Sequence, residues 1–459
     1  MTLRESLAPN KSNQFKFNSF FTGIGGFDLG FEQAGISPAY HCEIDKFCNS
    51  VLCRHWDKLP RAKDVKTVNA NELPETEVWC GGFPCQDVSV ARGWLGREGL
   101  RGKHSGLFYP FFDLVKIRTP QVVVIENVTG LLNSHDGQDF RIILQSFNNL
   151  GYAVAWRVMN TQYFGVPQSR PRVFMCAWLG NPQSACYALY EPSGAAFPEN
   201  QRQGFLIADA CPQTGAVVSR VAYCLAATSG RHTGTDWSRS YVSYHDKVRR
   251  LTPAEYERLQ GFPTGWTLPE DSFPGSEDEI DTLRYQALGN AVSVPVVQWI
   301  GERITELLLS VPTLPSKEVA TDFKVFQALT DLLPEFRHSK AMFVKLAELE
   351  TEGKAIKWKT GGCAYRGVCV TFNVSPAPAK PVPSRFIDII EKQEVNSRYY
   401  LSPNAAEGIL RRVDKNERQL FQPLREALER LANRETLKSS SVTNPVSSTH
   451  KSVLLVNRE

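Results

Sequence analysis

The stretch FKFNSFFTGIGGFDLGFEQAG, residues 15–35, decides the fold. Its first seven positions carry the apolar density of a buried strand, Gly23, Gly25 and Gly26 follow, and the apolar spacing then becomes helical. Strand, glycine turn and helix together open an α/β sheet, and the pattern continues outward. AYHCEI (39–44) reads as a second strand, with KFCNSVLCRHW as the helix behind it. EVWCGG (77–82) and QVVVIEN (121–127) are further strands, separated by a helical segment around 105–118. QDFRIILQSFNNLG is helical by Phe140, Ile143, Leu144 and Phe147, and YAVAWRVMN and RVFMCAWLG are strands again. Regular alternation predicts a mostly parallel sheet with helices on both faces.

A chain of 459 residues is long enough for two or three domains. It is 42% hydrophobic and 22% charged, with a net charge of +4 that is compatible with nucleic acid and demonstrates none. No apolar run reaches about 18 residues and the first residues do not read as a signal peptide, so a cytoplasmic protein without membrane contact is expected. Eleven cysteines without a CxxC pair read as free thiols. The grouping of Cys42, Cys48, Cys53 and His55 matches no common zinc spacing, so no metal is expected.

Beyond 180 the alternation stops, which suggests boundaries. Residues 15–180 and 285–309 read as a catalytic domain, because ALGNAVSVPVVQWIGERITELLLS resumes helical spacing. Residues 181–284 form a second region, with a helix in LTPAEYERLQGFP capped by Thr252-Pro253 and ended by Gly261, then an acidic loop, PEDSFPGSEDEID. Residues 310–433 are an extension in which SPAPAKPVP (375–383) reads as a semi-rigid linker, and 434–459 as a disordered tail.

Open α/β sheets bind ligands beyond the carboxyl ends of their strands, where TGIGG, EID, GGFPCQ and ENV all fall. A glycine turn lets a ligand approach the backbone, although a plain tight turn explains the glycines as well. Glu43, 18 positions past Gly25, can accept hydrogen bonds from ribose hydroxyls, which favours an adenosine-type cofactor. Asp64 is a candidate for the adenine amino group, or a surface acid. Cys85, confined between Pro84 and Gln86, reads as a nucleophile or as a buried small residue. Glu126 ends a neighbouring strand and can reach the same crevice, while Arg170 and Arg172 share a face if extended and can hold an acid or a phosphate. The loop SVARGWLGREGLRGKHSG (89–106) carries Arg92, Arg97, Arg101 and Lys103, which can close on phosphates or simply be solvated.

In this order, FTGIGGFDLGF, EID, PCQD, ENV, QSRPR, RLTPAEYERLQGFP and QALGNAVSVPVV make the chain resemble the DNA cytosine-5 methyltransferases over about 17–180 and 248–305. The resemblance implies a class I methyltransferase fold and S-adenosylmethionine, with Phe21, Gly23, Gly25, Gly26, Glu43, Ile44, Asp64, Val65 and Asn290 as cofactor contacts. It implies Cys85 as nucleophile, Glu126 as the acid that steadies the base, Arg172 on the ring carbonyl, and Arg170 orienting Glu126 or a phosphate. It also implies double-stranded DNA as partner, with Gln86, Ser89, Arg92 and Arg97 as expected contacts; within 181–248, Arg231, Thr233 and Arg239 are only candidates. A target-recognition region is expected at about 181–248, where Cys224-Leu225 stands in place of the usual Thr-Leu pair. The tripeptide CFT of the tRNA-methylating branch is absent, which favours DNA. A monomer is expected, linked to a restriction endonuclease by function and not by contact. The segment RYYLSPNAAEGILRR is similar to one that recurs in phage and prophage methyltransferases, without a role following from it.

Overall fold

The computed structural model describes residues 14–84, 105–191, 194–198, 203–228, 236–310, 341–351 and 355–440. The alternation expected from the sequence is present: β1 (Phe15–Phe20), α1 (Gly26–Gln33), β2 (Ile36–Cys42), α2 (Lys46–His55), β3 (Arg61–Ala62), β4 (Val78–Gly81), α3 (Phe108–Arg118), β5 (Val122–Val128), α4 (Gln138–Asn149), β6 (Tyr152–Asn160) and β7 (Pro171–Leu179). Strands β3, β2, β1, β4 and β5 are parallel neighbours in that order; β7 then runs antiparallel between β5 and β6. One face is covered by α1, by α5 (Pro182–Leu189) and by α8 (Val294–Leu309), the other by α3 and α4. Burial on both faces explains why the central strands read as unbroken apolar runs. Helix α1 lies close against α8 because Gly30 leaves room: a Cβ there would sit 2.7 Å from the Val297 side chain.

Four expectations need correction. Helix α5 buries Ala185, Cys186 and Leu189 against the large sheet, so the catalytic packing continues past 180. The acidic loop gives way to a helix, α7 (Glu277–Asn290), in which Ser276 and Glu279 form a capping box and the three acids of the first turn face its positive end. The 375–383 stretch is no linker: the guanidinium of buried Arg157 donates to the carbonyls of Ser375 (3.0 Å) and Ala377, and Val382 exchanges backbone hydrogen bonds with Tyr163 and Gly165. The last helix, Gln422–Ser440, runs into the supposed tail, and 441–459 lie outside the described residues.

The extension also proves to be no separate module. Gly361–Tyr365 and Val368–Phe372 form a hairpin whose turn, Arg366-Gly367, has φ of 51° and 79°, as two-residue hairpin turns require. The hairpin pairs antiparallel with β6, and Met342–Lys345 adds an outer strand, giving ten strands in all. A second sheet has four strands of three residues each: β8 (Ala208–Ala210), β9 (Val217–Ser219), β10 (Tyr241–Ser243) and β11 (Val248–Arg250). It is joined to the large sheet through α6 (Pro253–Gln260), which has the expected Thr252 cap and ends at Gly261, φ 84°.

Candidate active site

The site lies where the chain leaves β1, β2 and β4 and near the end of β5. After β1, Thr22 ties the turn to β2 through its N–H (3.2 Å) and hydroxyl (3.3 Å), both on the Cys42 carbonyl. Below, a fully buried chain runs from the Ser19 hydroxyl to Asp28 (3.1 Å) and on to His41 Nε2 (2.9 Å), locking β1, α1 and β2 together. The three glycines do different things. Gly23 (φ 59°) would have no atom of the described residues within 4 Å of an added Cβ, so it faces open space among them. A Cβ on Gly25 (φ 81°) would sit 2.5 Å from the Trp56 ring, and one on Gly26 would sit 2.8 Å from Val292. Gly25 and Gly26 are therefore required by packing against α2 and the chain before α8, whereas a ligand can approach Gly23.

Glu43 closes this turn from the next strand. Its Oε2 accepts the Gly23 N–H at 2.7 Å and its Oε1 the Asp45 N–H at 2.8 Å. Burial pushes its carboxyl above the usual range, opposed by these backbone bonds. A carboxylate has about four acceptor positions, so acceptor capacity remains for a hydroxyl donor. Ile44 is 68% exposed, an apolar surface beside that acid. Asp64 is half-buried and caps the turn Val65–Thr67 by accepting the Lys66 N–H at 3.0 Å. The Val65 side chain is buried in the core, so only its backbone could meet a cofactor. Asn290 is exposed at the end of α7, and half-buried Phe21 (φ 53°) packs its ring edge-on to Phe111.

Opposite lies the acid–base pair. Glu126 on β5 stands across from Phe174 of β7 and diagonal to Arg172, on the same face of the sheet. Arg172 Nε meets Glu126 Oε1 at 3.1 Å, with the two side chains only 16% and 14% exposed. Burial pushes the Glu126 carboxyl up, while Arg172 and Arg170 pull it down; burial wins. Gly82 leads into the Cys85 segment beside this acid: a Cβ there would lie 3.4 Å from Glu126 Oε2. The Asn127 amide donates to the Phe83 carbonyl at 3.3 Å, which ties that segment to β5. Asn127 stood in the ENV motif without an assigned function, and only the fold gives it this positioning part.

Cys85, Gln86, Ser89, Arg92, Arg97, Arg101 and Lys103 lie outside the described residues, as do Arg231 and Thr233. Arg239 is described and donates to the Thr228 carbonyl at 3.0 Å. Arg170 departs from expectation. Instead of reaching Glu126 or open space for a phosphate, its buried guanidinium donates to the carbonyls of Leu225 (2.8 Å), Gly289 (3.0 Å) and Ala291 (2.8 Å). It is a staple between the start of β7, the chain that follows β9 and the end of α7. Cys224 sits between the two arginines, 3.6 Å from Arg170 and 3.9 Å from Arg172. Burial pushes its thiol up, but the arginines outweigh burial and hold it below the ordinary thiol range.

The model of the C-5 cytosine-specific DNA methylases matches residues 15–221 and 214–306. The type II methyltransferase M2.BsuMI of Bacillus subtilis (strain 168) is 30% identical over 314 residues, 63% of this chain and 75% of that protein. The type II methyltransferase M.NgoBI of Neisseria gonorrhoeae is 31% identical over 311 residues, 62% of this chain and 91% of its own. Among solved structures, the Entamoeba histolytica methyltransferase EhMeth aligns at a TM-score of 0.47 and 18% identity, over 64% of this chain and 99% of that one. The match of the family model from residue 15 to residue 306, through β1–β7, α6 and most of α8, shows that the chain belongs to the C-5 cytosine-specific DNA methylases, α/β enzymes that methylate cytosine in DNA.

Proposed function

We propose that the protein methylates carbon 5 of a cytosine flipped out of a specific duplex DNA sequence, with S-adenosylmethionine as methyl donor, in protection of DNA against a restriction nuclease. The observation that carries this reading is the Glu126–Arg172 pair set beside Gly82, three residues before Cys85 in sequence, on the same strand-end rim as Gly23 and Glu43. The spare acceptor capacity of Glu43, the open space at Gly23 and the apolar surface of Ile44 suit a ribose and an adenine. When bound, that cofactor supplies a methyl group made electrophilic by its sulfonium.

The residues of the chain supply the rest. The Cys85 thiolate adds to carbon 6 of cytosine and turns the ring into an enamine with a nucleophilic carbon 5. Glu126, whose carboxyl burial pushes above the usual range, donates to ring nitrogen 3 and accepts from the exocyclic amine, which stabilises charge that appears only after addition. Arg172 has its Nε on Glu126 and is the candidate for the ring carbonyl. Once carbon 5 carries the methyl group, loss of its proton to water and expulsion of the Cys85 thiolate release 5-methylcytosine. Because none of this fits inside a base stack, the cytosine must be extruded, at a cost of a few kcal/mol.

Bisulfite sequencing of DNA from cells expressing the protein tests the reading. Methylation confined to one short sequence is expected; transfer of label from the cofactor to tRNA and not to DNA would replace the reading with RNA methylation. Cofactor binding without any transfer would make the protein a binding module.

A further inference from the structure

We infer that the target-recognition unit is discontinuous: residues 203–228, 236–250 and 385–433 fold as one body, and the C-terminal helices set target choice by supporting the small sheet. Three-residue strands cannot hold an isolated sheet together, because too few side chains share each face. Here both faces are covered, and the C-terminal segment supplies much of the cover. Neighbours on β10 point to opposite sides. Val242 joins a cluster with Val218 and Leu259, to which the distant segment adds Phe386, Ile387 and Ile390. Tyr241, together with Val248, joins the other cluster, whose remaining buried members all come from the distant segment, among them Leu401, Ile409, Val413 and Leu428.

Backbone and charge contacts repeat the connection. The Leu401 N–H donates to the Val248 carbonyl at 2.8 Å, and Tyr400 bridges Arg249. The Phe386 N–H donates to the Arg220 carbonyl at 3.0 Å, and Arg385 and Arg220 share Asp209 at 3.0 and 3.2 Å. The Glu391 N–H reaches Glu255 Oε1 (2.7 Å), a carboxylate that already holds buried Arg249 and caps α6. Arg430 donates to the His245 carbonyl at 2.7 Å in the turn between β10 and β11. The helix Pro403–Lys415 packs on the turn Asp236–Ser238, and the Arg418 guanidinium lies 5.7 Å from the centre of the Trp237 ring. A body tied at this many points moves as one, so whatever bases the 203–250 half meets, the helices fix how it is presented. Its functional half rests on the proposed DNA substrate.

The test uses the full chain. Ile409→Asp places a charge between helix and sheet; Arg418→Ala removes only the partly exposed contact with Trp237. Hydrogen exchange is followed at 241–243 and 248–250, and binding is measured to a short duplex bearing the methylated sequence and to a scrambled one. Ile409→Asp should deprotect β10 and β11 and cut the preference for the specific duplex at least tenfold, with cofactor affinity within twofold. Arg418→Ala should cut that preference at least threefold, with turnover at saturating DNA unchanged. Exchange changes confined to 385–433, or an unaltered preference in Arg418→Ala, would overturn the inference. If Ile409→Asp yields no folded protein, the Arg418→Ala preference decides alone. Failure of the DNA reading is distinct: it shows as absent preference in the unsubstituted protein, where the exchange result still decides whether the two segments are one body.

Discussion

The ten-stranded and the four-stranded sheets bury their faces in different ways. The large sheet encloses strands of up to nine residues between helices that lie, for the most part, next to them in sequence. The small sheet relies on segments some 150 residues further along the chain. In the first, packing and chemistry are tied together, because Glu43 and Glu126 stand at the ends of strands packed into the core of the large sheet. In the second, presentation is separated from the chemical step. Substitutions on the large sheet should therefore change the rate of reaction, and those on the small sheet the choice of target.

The largest effect expected is that of Cys85→Ser. Methyl transfer should fall on the order of a thousandfold or more, with cofactor affinity preserved, as read by label transfer and calorimetry. Substantial turnover would move the nucleophile elsewhere. Next comes Glu126→Gln, which keeps the shape of the side chain and should slow transfer about a hundredfold, since a group matched to developing charge is lost. A duplex with 5-fluorocytosine should trap the Cys85 adduct in the unsubstituted protein, and far more slowly in this variant.

Arg170→Ala sharpens the contrast between two arginines only two positions apart. It removes the guanidinium that bridges three carbonyls, two of which keep only the Cys224 thiol or the Gln260 amide, and should lower stability by about 3 kcal/mol, seen in denaturant unfolding. Arg172→Ala should cost much less stability and act on turnover. The smallest effect concerns pH. The Glu126 carboxyl is raised by burial, so the folded state keeps its proton where the unfolded chain has already lost it. Stability linked to this group is therefore fully present below the ordinary carboxylate range and is lost as pH climbs through the raised value. Relative to Glu126→Gln, the unsubstituted protein should lose melting temperature over that interval; a constant difference would show that the carboxyl titrates normally.

Much of the large sheet was legible because its strands are long, apolar and separated by helices with apolar spacing. The rim residues were legible too, since they follow those strands. The split among the glycines was not: Gly23 opens on space while Gly25 and Gly26 yield to Trp56 and Val292, and those neighbours arrive from elsewhere in the chain. Arg170 and Arg172 look equivalent in QSRPR, yet only Arg172 lies diagonal to Glu126 in the β5–β7 pairing. The hairpin at 361–372 did leave a local signal, the Arg366-Gly367 turn between two β-rich runs, but nothing local says that it pairs with β6. The three-residue strands carry too few residues for any period to show.

The hairpin at 361–372 also bears on how the chain can be shortened. It occupies the hydrogen-bonding edge of β6, from Val154 to Arg157. A chain stopped after α8 would keep every catalytic motif and yet present those amides and carbonyls unpaired, along a strand buried at every position. Such an edge recruits its own copies. A trimmed enzyme of this kind should precipitate or form strand-linked oligomers, so the segment beyond the last motif guards against self-association as well as completing the fold.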